Sequence, residues 1–145
     1  MAKLVLDMGA MQNDFFADTA MIGIVSAQPG YRFCWMVNNY FDIDFKNYPE
    51  QNIALKKKDT TLYFPTYQYD LSNSSYKYLL YKLKNGSESL LPETKQLDYL
   101  WLIQTADPEH DAHIILQELR NIPDVQLAQL LVTEQLKKSL GNLLV

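Results

Sequence analysis

Apolar positions along the chain come in short runs separated by polar punctuation. The pattern predicts strands interrupted by two amphipathic helices. Residues 3–8 and 21–26 are apolar runs of strand length. Gln28-Pro29-Gly30 follows, and proline suits a first helical turn because its missing N–H would be unpaired there anyway. A helix is predicted over 29–41, with Phe33, Met36, Val37, Tyr40 and Phe41 on one face at 100° per residue and Cys34 at its edge. Residues 42–55 read as extended, broken near Pro49. Residues 60–69 are rich in β-branched and aromatic side chains, and Pro65 inside them predicts an edge or bulged strand.

Residues 76–84 form another strand. Asn85-Gly86 predicts a type I′ hairpin into a return strand over 87–91, before Pro92. Residues 97–103 are apolar on both faces except at Asp98, as expected of a central strand covered on two sides. Asp107-Pro108 starts a second helix that runs to about Asn121, with Ala112, Ile115, Leu116, Leu119 and Ile122 on its buried face. A last strand covers 125–132, and Thr133 caps a short helix over 134–140. The fold class is α+β: a largely antiparallel sheet, two main helices packed on it and a short C-terminal helix.

The 145 residues suit a single domain spanning 1–145, large enough to hold a core without disulfides or metals. Charge narrows the partners. A net charge of −4 opposes approach to a phosphate backbone or an anionic membrane. The longest basic run, Lys56-Lys57-Lys58, ends at Asp59 and reads as a solvated turn. No stretch approaches the roughly 20 apolar residues of a bilayer span. Cys34 is the single cysteine, which fits a reducing compartment, and the first residues do not resemble a signal peptide. A soluble cytoplasmic protein is expected.

Candidate chemistry is sparse. His110 and His113 stand three apart on the second helix, without a third ligand, so no metal is expected. Cys34 sits among Phe33, Trp35, Met36 and Val37, where burial raises a thiol pKa. Tyr63, Tyr67 and Tyr69 share one face of their strand, and Tyr76 and Tyr78 share a face of the next. Such rings, near Lys77, Lys82 and Lys84, are the ingredients of an RNA-stacking platform, but the acidic charge disfavours it. Asp98, alone in an apolar strand, needs a partner. Arg32 is expected to pair with Asp98 or Glu93 and pin the first helix to the central strand, so that Asp98→Asn costs stability. No catalytic residue and no cofactor is indicated, although the enzyme question stays open.

Three large apolar side chains break the amphipathic pattern. Tyr31 and Trp35 fall on the polar side of the first helix, and Ile114 on the outer side of the second. Exposed large apolar groups mark interfaces.

The stretch Leu91-Pro92-Glu93-Thr94-Lys95-Gln96-Leu97-Asp98-Tyr99 resembles the signature of the IPExxxVDY family of small bacterial proteins. Leu91 and Leu97 replace its Ile and Val, while Pro92, Glu93, Asp98 and Tyr99 stand as the signature has them. Residues 21–26 leading into Tyr31-Arg32-Phe33-Cys34-Trp35 are similar too, though less sharply. The resemblance implies a bacterial cytoplasmic protein and adds weight to Glu93, Asp98 and Tyr99. It supplies no substrate. Two readings follow. The first is a non-enzymatic protein acting by association, with itself as a homodimer or with another protein, through Tyr31, Trp35 and Ile114. The second is a small-ligand binder or enzyme with a pocket near Arg32, Glu93, Asp98 and Tyr99.

Overall fold

Strand β1 (Ala20–Val25) leads into helix α1 (Gly30–Phe41), and the chain then reaches β2 (Lys46–Asn47) and a 3-10 turn at Pro49–Gln51. The computed structural model describes residues 19–57, 59–71 and 75–132, so the strand expected over 3–8 and the helix over 134–140 lie outside the described residues. Strands β3 (Ile53–Lys57), β4 (Thr60–Phe64), β5 (Thr66–Asp70), β6 (Lys77–Lys82), β7 (Lys84–Asn85) and β8 (Glu88–Ser89) follow. A 3-10 turn at Pro92–Thr94 precedes β9 (Tyr99–Gln104), α2 (Pro108–Leu119) and β10 (Leu127–Leu131).

The fold is α+β. Among the described residues, the main sheet has six strands in the order β10-β1-β9-β6-β5-β2, all paired antiparallel. Both faces are covered. Ile22 and Ile24 of β1, Tyr99, Trp101 and Ile103 of β9, and Leu80 of β6 meet Phe33 and Val37 of α1 and Ile115, Leu116 and Leu119 of α2. The opposite face carries Met21, Leu79, Tyr81, Leu100 and Leu102. It is closed by Ile53 and Phe64 of the β3–β4 hairpin and by Leu90, Leu91 and Leu97. Gly23 is the one β1 position between Met21 and Val25 on that face. A Cβ there would stand 2.6 Å from Leu97 Cδ1, so glycine lets the segment before β9 lie against β1.

Strand β9 is central, as its two-sided apolar pattern predicts. It pairs with β1 and β6, and its residues from Tyr99 to Ile103 are all buried. The buried face of α2 is also as expected, and the Asp107 carboxylate accepts from the His110 N–H at its cap.

Four local expectations are corrected. Pro29 stands just outside α1, its carbonyl accepting from the Phe33 N–H, instead of inside the first turn. Tyr40 is 44% exposed, because it lies about 60° round the helix from the face centred between Phe33 and Phe41. Pro65 does not bulge a single strand; it divides the chain between two sheets, β4 pairing with β3 and β5 with β6. The hairpin beside it turns on Gly86-Ser87, with Asn85 paired to Glu88. Only Gly86 has positive φ there, which matches a type II′ turn in place of I′.

Candidate functional site

The end of β1 and the start of β9 are held together by Asp98. Its backbone N–H donates to the Ile24 carbonyl at 2.8 Å, and its carbonyl accepts from the Leu83 N–H at 2.8 Å. Its carboxylate accepts from the Ser26 N–H at 2.9 Å and pairs with Lys84 Nζ at 3.1 Å. The expected cation is therefore corrected. Lys84, delivered by the run from β6 into β7, neutralises Asp98, while Arg32 projects from the exposed face of α1.

What pins α1 to β9 is aromatic. Phe33 and Tyr99 stack with centroids 4.1 Å apart and planes 12° from parallel. The Tyr99 hydroxyl donates to the Gln28 carbonyl, and Lys82 Nζ lies 5.3 Å from the Tyr99 ring centroid. Burial first, then neighbouring Tyr67 and Asp98, hold the Tyr99 phenol well above its ordinary value. Gly30 completes the join, since a Cβ there would meet Tyr67 Oη at 2.7 Å.

Above this join lies a groove of about 540 Å3, bordered by Ser26, Gln28, Tyr63, Lys82, Lys84 and Asp98. A second cavity of about 430 Å3 shares Lys84 and Gly86 with it and extends past Ser89, Pro92 and Lys95. Of the four residues expected to share a pocket, Asp98 borders the groove and Tyr99 lies buried beneath it. Glu93 is exposed on the Pro92–Thr94 turn, and Arg32 is exposed on α1. Tyr63, 60% exposed at the groove's edge, and Lys84 enter the sequence reading only as parts of a tyrosine–lysine face, not as neighbours of Asp98.

The other candidates divide clearly. Tyr31 and Trp35 are 76% and 66% exposed, one turn apart on the outer face of α1. Ile114 is exposed on α2 between exposed His113 and Gln117, a single apolar side chain of the kind common on surfaces. The tyrosine face of β5 and β6 is not open for stacking. Tyr67 is buried, and Tyr69 and Tyr78 pack against Phe45 beneath the helix layer. Among the described residues, no group of three His, Cys, Asp or Glu side chains could hold a metal, and His110 and His113 are exposed. No helix among the described residues is long and apolar enough to cross a membrane.

Cys34 is buried, donates to the Phe45 carbonyl at 3.4 Å and accepts from the Asn38 amide. Burial pushes its thiol from 9.0 to about 11, opposed in part by the Asn38 hydrogen bond. In the unfolded chain the thiol ionises first, so the folded state binds more protons across that window and stability falls as pH rises through it. Tyr81, raised by burial, acts with the same sign above its ordinary value. Melting temperatures followed from pH 8 to 11 should decline from about pH 9 upward, and Cys34→Ala should flatten the first part of the decline.

No protein-family model matches the chain, and no curated protein does.

Proposed function

We propose that this protein acts by association with another protein through the outer face of α1, and not as a catalyst. One observation carries the reading: Tyr31 and Trp35 are held in water one helical turn apart, on a helix whose inner face is fully engaged by the sheet. Tryptophan and tyrosine are the side chains that most often anchor interfaces. Two of the groups able to do chemistry have structural employment instead. Asp98 bridges Ser26 and Lys84, and the Cys34 thiol is buried and kept protonated. The single cysteine favours the cytoplasm. Pro92, Glu93, Asp98 and Tyr99 favour kinship with the IPExxxVDY proteins of bacteria.

The test is native mass spectrometry of the protein isolated from its own cells, beside the Tyr31→Ser, Trp35→Ser double variant. A complex is expected for the natural sequence. The double variant should run as the free chain with an unchanged melting temperature, because both rings are exposed. A complex that survives both substitutions, or no complex at all, sinks the reading.

The groove supports a second reading, small-ligand binding. Its volume falls in the range of ligand sites, and it brings Asp98, Lys82 and Lys84 together around one opening. The same spectrum decides it. A small molecule retained by the natural chain and lost from Lys82→Ala supports the groove; a bare mass removes it.

A further inference from the structure

The proposed association leaves open what sits on α1, and the charge pattern of that helix narrows it. Arg32 is the sole charged residue between Gly30 and Phe41, and it stands at the helix start. Asp42, exposed, stands just past the helix end. At 100° per residue, Arg32, Trp35, Asn39 and Tyr31 fall within one outward stripe, and Asp42 caps the end of the helix beyond it. The stripe is thus positive at one end, negative at the other, and aromatic and uncharged between. Such a surface complements a reversed copy of itself.

Resting on the reading of α1 as an interface, we infer that the partner is a second copy of this chain, docked α1 against α1 in antiparallel. A two-fold axis crossing between Trp35 and Asn39 satisfies an isologous contact. Arg32 of each copy then meets Asp42 of the other, about 15 Å along the helix axis at 1.5 Å per residue. Each Trp35 ring lies over the other copy's Asn39. The Asn39 amide is folded back onto the Trp35 carbonyl of its own helix at 2.8 Å, which keeps that surface low. Asp42 holds a left-handed conformation, φ 55°, its backbone N–H donating to the Asn38 carbonyl, so its position at the helix end is fixed.

The area sets the strength. Four partly exposed rings cover on the order of 500 Å2, against roughly 1,200 Å2 for the smallest stable interfaces. The dimer is therefore weak, reversible and dependent on its charged ends, and added salt loosens it.

The experiment is sedimentation velocity across the micromolar range on the natural chain, Arg32→Glu, Asp42→Lys and an equimolar mixture of the two variants. Arg32→Glu places like charges at both ends of its own dimer, and so does Asp42→Lys; a mixed dimer has opposite charges at both ends. Each variant alone should dimerise at least roughly tenfold more weakly than the natural chain, and the mixture should recover. Asp42→Asn, which tolerates the left-handed backbone, should weaken the dimer without impairing folding. A mixture no better than its components, where the natural chain dimerises, overturns the antiparallel pairing. If Trp35→Ser still abolishes that dimer, association through α1 survives. A natural chain that stays monomeric throughout overturns the second copy as partner, and a complex with a different protein in its own cells would then uphold association alone.

Discussion

Replacing Trp101 with alanine should cost about 3–5 kcal/mol, the largest loss expected of any single substitution considered for this chain. Trp101 is fully buried on the central strand. Its ring meets Phe41 and Phe45 at 5.2 Å and Tyr78 at 5.7 Å, each edge to face. Alanine removes these contacts and leaves a void that packed neighbours fill only in part. For a domain stable by about 5–15 kcal/mol, such a loss leaves little cooperative folding. Phenylalanine should behave differently. The indole N–H is buried without a hydrogen-bond partner among the described residues. Removing it relieves a desolvation cost of about 1–3 kcal/mol, which offsets much of the lost burial. Urea unfolding should place Trp101→Phe within about 1.5 kcal/mol of the natural chain. A phenylalanine variant as unstable as the alanine variant would mean that the indole N–H is satisfied.

Asp98→Ala should cost about 2–3 kcal/mol, through a hydrogen bond more than through an ion pair. The Ser26 N–H is buried with its residue, which is 3% exposed, and alanine leaves that donor without its acceptor. Lys84 is less committed. Its side chain is 35% exposed, so solvent screens the pair and water replaces the carboxylate. Lys84→Ala should therefore cost less than about 1 kcal/mol. Asp98→Asn, which keeps an acceptor for Ser26, should fall between the two. Denaturant midpoints for the three variants give the order directly. Equal losses for Lys84→Ala and Asp98→Ala would show that charge, and not the Ser26 hydrogen bond, holds the β1–β9 junction.

The Asp98 junction also shows what can be read from the chain. A carboxylate in an apolar strand announces that a partner exists, because burial demands one. The identity of that partner depends on register. Lys82 pairs with Tyr99 across β6 and β9, and this register carries Lys84 past the strand end to Asp98. Nothing local in the sequence encodes that pairing, so Arg32 stood in for a lysine supplied by a distant strand.

Periodicity within one element transferred well for the same reason. The buried stripe of α2, the two-sided burial of β9 and the exposure of Tyr31 and Trp35 all follow from spacing along a single helix or strand. Where a residue serves two sheets, spacing fails. Pro65 hands the chain from β4 to β5, which leaves Tyr63 exposed on one sheet and Tyr67 buried in another.

Tyr63 shows the same limit at the candidate site. Its place beside the groove depends on how the β3–β4 hairpin sits against the β6–β7 corner, where Asn85 Nδ2 donates to the Tyr63 carbonyl at 3.1 Å. By contrast, the α1 stripe was open to inspection, because one helix supplies all of it.

The most direct test of the α1 face is photo-cross-linking from position 35 in living cells. A benzophenone side chain replaces Trp35 in one strain and exposed Asp124 in another. The account predicts a discrete cross-linked product from position 35, at twice the chain mass, and none from position 124. The absence of any product specific to position 35 would contradict an interface on α1.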